Sequence, residues 1–543
     1  MAILGYTSAL YSQEFNLEIN SKKKTENIFL SKINYNKKHK DSAALFNEIY
    51  KVQKKLKKNG YFLITIDSVL HEDKKYIAYL HLNQKIDSVN LKYKNAPALI
   101  IQKYNFKNNI LQIPINLLEK ILNEISSSQE LKGNAFSKIN LYNFEIKNKT
   151  LFADINFTPS KKRKIDKVIF KGYENFPQSF IKNHLNINTN SVFNKKKLQE
   201  ISQLSQALDF ASEIKPPETL FTQDSTFVYI YLKKIKGNSF NGLINFTSQE
   251  NGKLKFNGHL DLKFKNILNK GENLNLLWNS FGDERQEFSI AAKTPYVFNS
   301  KITTEVAFSI YKQDSTFLNT TLNANLNYKI KNNANLYASF SSENSKNTLN
   351  DLTNNISTYK NYFLGFGYEY KVAKNDVFKN NLYYLNINPS FGKRKTTNGA
   401  FQQIKITTTV SYLLDLNRKN SIYFSNKTGV LNSENHLDNE LFRIGGNNSI
   451  RGFKEQSIFV KNYLLQNIEY RYLTSKNSYL YTITDLALIS TPSSKERLYG
   501  FGLGYLFNTN NSQINISSAI GTNSKNPINT KDIQLFVNWT NFF

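Results

Sequence analysis

The segment DIQLFVNWTNFF, residues 532–543, decides how the second part of the chain is read. Ile533, Leu535, Val537, Trp539 and Phe543 fall at odd positions, with Gln534, Asn538 and Thr540 at even ones. An extended backbone therefore puts the apolar set on one face and the polar set on the other. Working backwards, similar alternation recurs as far as about Gly237, in segments of roughly ten residues separated by Asn-, Gly-, Lys- and Ser-rich turns. Ile302, Val306, Phe308 and Ile310 share one face and Thr303, Glu305 and Ser309 the other. Lipid outside and water inside accounts for that split, and about ten residues is the length of a tilted strand that crosses a bilayer.

Counting segments from Ser239 gives about sixteen strands, an even number of the kind bacterial barrels use. Closure is required, because the bilayer core holds no water to satisfy an open sheet edge. Residues 237–543 are thus expected to form a transmembrane antiparallel β-barrel. An aromatic terminus in register with such a strand, Phe543 with Trp539 on the same face, resembles the C-terminal recognition signal of outer-membrane barrels.

Bulk composition agrees. A chain of 543 residues is too long for one compact core. Its mean hydropathy is −0.48 despite 14% aromatic residues, and no run of about 18 apolar residues marks a spanning helix. A barrel keeps its average hydropathy low because half of each strand faces water. The absence of Cys excludes a disulfide framework and thiolate metal sites. The net charge of +29 is spread along a chain rich in Lys and Asn, without a basic stripe interleaved with stacking aromatics, so no nucleic-acid partner is expected. His39, His71, His81, His184, His259 and His436 are scattered without metal-ligand spacing, and no GxSxG elbow or phosphate-binding loop stands out. The expectation is no cofactor, no metal and no enzyme. Glu469 and Arg471, on an alternating strand with Asn467, are read as lining the lumen.

Residues 1–14 read as the remnant of a secretory signal without its basic region, with small residues before a cleavage point at Gln13. Three soluble α+β units follow, at 15–84, 85–161 and 162–236. In the first, Ala44, Leu45, Ile49, Val52 and Leu56 mark an amphipathic helix over Asp41–Lys58 that Asn59-Gly60 ends, before strands at Tyr61–Val69 and Tyr76–Gln84. The second has a strand at Ile86–Tyr93, a helix at Ile115–Ile125 and paired strands at Phe136–Phe144 and Thr150–Phe157. The third runs strand Lys164–Lys171, helices Gln178–Leu185 and Lys195–Phe210, and strand Thr226–Lys233, with Pro216-Pro217 read as loop.

The order KIDKVIFKGYENFP…FIKNHLNI…VFNKKKLQEISQLSQALDFASEI…TFVYIYLKK resembles a polypeptide-transport-associated (POTRA) domain, and the two earlier units look like diverged copies. In the barrel, LFRIGGNNSIRGF, Leu441–Phe453, resembles the signature loop of the BamA/TamA outer-membrane assembly superfamily, whose Arg-Gly-aromatic tip folds back into the lumen. Gly445, Gly446 and Gly452 permit close backbone approach, and Arg451 carries a planar fork of donors that needs an acidic or carbonyl partner. Asp485, in YTITDLALIS, resembles the family's inward-facing partner of that Arg. It departs from the pattern in having Ile483 before it and Ala487 after it, where the family has an aromatic residue and Gly. Exchanging the two charges is expected to rescue what either single change breaks. Pro295-Tyr296 resembles an early-strand segment of the family, and RLYGFGLGYLF, with Gly500, Gly502 and Gly504 on one face, its fourteenth strand.

The resemblance, taken as nearest to TamA, implies an outer-membrane assembly or translocation factor whose domains lie in the periplasm. Its partners would be the lipid bilayer, unfolded outer-membrane clients received by the POTRA domains, and a periplasm-spanning or lipoprotein partner. Clients would insert at a gated seam between the first strand, about Ser239–Ser248, and the last. The alternatives are a two-partner-secretion pore exporting one large substrate through the lumen, which two POTRA domains and a plug helix would favour, and a passive porin-like barrel.

Overall fold

The computed structural model describes residues 14–93, 104, 109–188, 190–248, 254–282, 284–348, 355–374, 376–378, 380–523 and 532–543. The expected signal remnant lies outside these residues apart from Glu14. The chain divides into two compact units, with the boundary running through the third soluble domain.

In the first soluble domain the helix Ser42–Lys58 forms because Leu45, Ile49, Val52 and Leu56 fall on one stripe, and all four are buried. Asp41 caps it by accepting the Ala44 N–H at 2.7 Å. Lys55, Lys57 and Lys58 stand at its negative end, and Gly60, at φ +100°, turns the chain out of it. That turn delays the next strand to Thr65–Glu72 rather than Tyr61. The sheet runs Lys38–His39, Phe15–Asn20, Lys75–His81, Thr65–Glu72, with Phe15–Asn20 parallel to Lys75–His81. The second domain repeats this plan in the order Ile110–Pro114, Ser88–Lys92, Thr150–Thr158, Lys138–Lys147, again with a parallel central pair, Ser88–Lys92 and Thr150–Thr158. Each domain has its own apolar core.

The third domain inserts the helices Gln178–Asn183 and Lys195–Gln206 between the first strand and the other two of a sheet ordered Ala211–Phe221, Thr226–Lys234, Lys167–Lys171. Pro216-Pro217 therefore lies in a strand and not in a loop. The strand is an edge of its sheet, and an edge tolerates residues that lack an N–H.

From Ser239 onward sixteen antiparallel strands close into a barrel. Its lipid-facing side is apolar where the alternation requires it: Ile533, Leu535, Val537, Trp539 and Phe543 are all exposed, as are Ile302, Val306 and Phe308. Closure is uneven. Among the described residues the first strand, Ser239–Ser248, pairs along its whole length with the second but with the last, Gln534–Phe542, only at Ser239–Asn241. The Phe543 N–H adds one bond to the Asn238 carbonyl at 3.0 Å.

Candidate functional site

The longest described connection of the barrel, residues 434–461, joins the eleventh strand, Asn420–Ser433, to the twelfth, Asn462–Ser475. Its limbs form a short hairpin of Phe442–Ile444 with Ile458–Val460, and its tip, Ser449–Phe453, packs into the wall. Gly445 at φ +114° and Gly446 at φ +90° turn the loop, and Gly446 N–H reaches the Ile450 carbonyl at 3.1 Å.

Arg451 is buried and all three faces of its guanidinium are used. Nε donates to Asp485 Oδ2 at 2.8 Å, Nη2 to Asp485 Oδ1 at 2.6 Å, and Nη1 to Glu469 Oε1 at 2.5 Å. The Arg451 backbone N–H also donates to Asp485 Oδ2, at 3.0 Å. Glu469, on the twelfth strand, is held in turn by Arg471, whose Nε lies 2.9 Å from Glu469 Oε2. Asp485 stands on the thirteenth strand, Ser478–Ser490. Two arginines and two carboxylates alternate, so the group is neutral as a whole, which is what lets four charges stay largely out of water. Removing one member leaves its partners buried and unpaired, at a cost of about 3–5 kcal/mol. Sequence reasoning brought out Arg451 and Asp485 but gave Glu469 only a lumen-lining place. The missed signal is the Glu469-x-Arg471 pair, two charges of opposite sign on one face of a strand.

Gly452, at φ +92°, lies against Ile520 and Gly521 of the fifteenth strand, Ser512–Asn523. Gly521 is the register partner of Gly500 on the fourteenth strand, Lys495–Asn508. A side chain at Gly500 would strike the Arg451 carbonyl, and one at Gly521 would strike the Gly452 carbonyl and the Phe453 ring. The tip thus rests on a bare two-strand platform, half of which, Gly521, lies in an unremarkable sequence context. Gly502 and Gly504 make room for Ala519 and Tyr481 instead. Beneath the hairpin, Ile444, Ile450 and Val460 bury against the lumen-facing Leu465, Ala487, Ile489 and Leu498. The returning limb reaches the opposite wall, where Gln456 Nε2 donates to Glu287 Oε2 at 2.9 Å.

Tyr296 sits elsewhere, in the turn after the fourth strand, and receives helix Gln178–Asn183 of the third soluble domain. Its ring packs edge-on against Phe180 at 4.8 Å. His184 Nδ1 lies 3.3 Å from the Tyr296 hydroxyl and His184 Nε2 lies 2.9 Å from the Leu204 carbonyl. This enclosure and the nearby Lys329 ammonium push the imidazole down to about 4. Tyr173 meets the preceding turn, accepting from Asn266 at 2.6 Å and donating to Asn269 at 2.9 Å.

A sixteen-strand barrel filled by its own loop and preceded by POTRA-type domains defines the class: this is an outer-membrane β-barrel with its N-terminal domains in the periplasm. More particularly, residues 249–506 match the family model described as haemolysin secretion/activation protein ShlB/FhaC/HecB, and residues 163–233 match a POTRA model described as surface antigen variable number repeat. Among solved structures, CdiB from Escherichia coli is similar at 14% identity, covering 92% of this chain and 97% of that one with a TM-score of 0.53. CdiB from Acinetobacter baumannii is similar at 16% identity, with coverage of 92% and 97% and a TM-score of 0.52. BamA from Haemophilus ducreyi lacking POTRA domains 1–3 matches at 14% identity over 83% of this chain and 98% of that one, with a TM-score of 0.50. No curated protein matches in sequence. The expected kinship to TamA is therefore corrected in favour of the two-partner secretion branch. The Arg-Gly-Phe tip and its inward Asp could not separate the branches, because any loop packed into such a wall needs the same bare backbone and the same fork of donors. The matched family is one of transporters and not of enzymes.

Proposed function

We propose that this protein is the outer-membrane pore of a two-partner secretion pair, passing a single large partner polypeptide from the periplasm through the barrel lumen to the cell surface. The observation that carries the reading is the match of the secretion/activation family model across residues 249–506, most of the barrel including the loop. The lumen supports it physically. Arg394, Lys405, Glu343, Asp485 and Glu469 make its inner wall polar, so an extended chain would meet hydrogen-bonding groups and mixed charge along its path. The soluble domains would receive that chain in the periplasm. Their sheets end in edge strands, and an edge can bind an extended segment through backbone hydrogen bonds without demanding a sequence. The three α+β units would then act as a receiving arm, the first two as diverged copies of the third. No nucleotide or cofactor enters this scheme, and the loop would have to leave the lumen while the chain passes.

A rival reading, insertion of clients at the seam, draws on the short pairing between first and last strands. The two separate by sealing that seam. Phe240 and Asn541 are register partners across it, and the chain has no cysteine of its own. Phe240→Cys with Asn541→Cys should therefore form a disulfide, because the Cα spacing of antiparallel partners lies within disulfide reach. Secreted and outer-membrane proteomes are then compared for the deleted, unaltered and sealed strains. Export of one large protein, lost on deletion and kept on sealing, is the expected result. A general fall in outer-membrane barrel proteins on sealing would overturn the proposal in favour of assembly.

A further inference from the structure

We propose that the loop is held by two clasps, and that the second, formed by Glu440 of the loop with Arg394 and Gln403 of the wall, keeps the pore shut when the Arg451 tip lets go. This rests on the reading of the barrel as an export pore.

The second clasp lies at the stem of the loop, in the single 3-10 turn Asp438–Glu440. Its ion pair is enclosed: the Arg394 and Glu440 side chains are 1% and 2% exposed. Arg394 Nη1 donates to Glu440 Oε1, which also accepts the Leu437 N–H at 2.9 Å, and Gln403 Nε2 donates to Glu440 Oε2 at 2.8 Å. The preceding residue extends the attachment. Asn439 Nδ2 donates to Ser345 Oγ at 2.6 Å and to the Ser357 carbonyl at 2.8 Å. Its own carbonyl accepts from Asn319 Nδ2 at 2.7 Å and from the Tyr359 hydroxyl at 3.1 Å.

These wall residues come from the sixth to tenth strands (317–331, 334–347, 359–373, 381–396 and 399–415) and one connection between them, whereas the tip holds the twelfth to fifteenth. Loop and wall are thus pinned at two separate arcs of one cylinder. The polarity is reversed between them, with a loop cation on wall carboxylates at the tip and a loop carboxylate on a wall cation at the stem. Neither clasp can therefore satisfy the other's partner, and the loop has one seating. They also differ in completeness. Arg451 uses Nε, Nη1 and Nη2, but among the described residues Arg394 Nε and Gln403 Oε1 find no partner. A buried network with unmade bonds gains less from staying closed. The stem is accordingly the clasp that a competing carboxylate or amide of a passing chain can displace.

The test measures ion conductance of the full-length purified chain in planar lipid bilayers, with no exported partner present. Arg451→Ala alone should leave conductance close to that of the unaltered chain, because the stem still holds. Arg451→Ala with Glu440→Gln should raise open probability on the order of a hundredfold, the change expected when a buried ion pair loses one partner. Asn439→Cys with Ser345→Cys, added to that double variant, should keep it shut until a reductant is added. If Glu440→Gln does not fold, as judged by heat-modifiable gel mobility, Arg394→Met in the Arg451→Ala chain takes its place with the same expected opening. Full opening by Arg451→Ala alone, or a folded double variant as closed as the single one, would overturn the proposal. Because no partner is needed, conductance that follows these expectations in a strain exporting nothing would sink the two-partner reading and leave the clasps standing.

Discussion

The loop in the lumen and the seam between the first and last strands are both junctions of one barrel, built from opposite resources. The loop is held by side chains: buried ion pairs, an apolar cluster and glycine platforms, with backbone ladder confined to its small hairpin. The seam is held by backbone ladder over Ser239–Asn241 against Thr540–Phe542. Ladder bonds at an edge exchange readily with water or another strand, whereas a buried charge cannot be unpaired without a penalty. The seam side has a different support, because the turns after the second and fourth strands carry the third soluble domain through Tyr173, Phe180 and His184. One wall is therefore secured from inside and the other from the periplasm.

The largest effect in this contrast should come from the tip. Arg451→Ala should weaken loop seating by about 3–5 kcal/mol, seen as proteolysis within residues 441–460 that leaves the seam strands intact. The simple exchange of Arg451 with Asp485 should restore little, because Glu469 would then face a carboxylate at position 451. Adding Glu469→Gln to the exchange should recover protection, and full recovery without it would show Glu469 to be a bystander. A middle-sized effect is expected at the platform. Gly521→Val should cost about 1–3 kcal/mol by overpacking against Gly452 and Phe453, with the same loop cleavage and no change in hydrogen exchange at Ser239–Asn241. Exchange rising first at the seam would erase the distinction between the two sites.

The smallest effect falls on the other side of the comparison. His184 has its folded value depressed from the ordinary 6.5 to about 4. The unfolded or undocked form binds the proton more readily, so the stability this histidine contributes is present above about 6.5 and is lost as pH falls toward 4. Lys329 and Asp209 are the charged neighbours, and Tyr296 the hydroxyl, that face it. Exchange protection of residues 178–185 in the detergent-solubilised chain should decline over that window while the Arg451 cluster stays protected. His184→Gln should flatten the decline, and a flat profile in the unaltered chain would remove His184 from the account.

Much of this architecture was legible because it depends on local periodicity. Alternation of period two, as at Ile533 to Trp539, is satisfied by a strand with an apolar medium on one side and water on the other, and sixteen such strands in lipid must close. The helix at Ser42–Lys58 followed in the same way from its apolar stripe and its Asp41 cap. Pro216-Pro217 was misread because the rule that excludes proline from a ladder does not hold at an edge, and the sequence carries no mark of which strand is outermost.

Residue order alone therefore determined that the chain has soluble α+β units, a lipid-facing barrel and a glycine-turned loop with an arginine at its tip, since each follows from the spacing of neighbours. Apart from Asp485, tertiary structure alone decided what that arginine and its loop touch. Glu469, Gly521, Glu440, Arg394 and Asn439 are ordinary polar or small residues in sequence and become a tip, a platform and a clasp only when strands far apart in the chain curve round to face one loop. Burial of charge is a property of that enclosure, and no local pattern reports it.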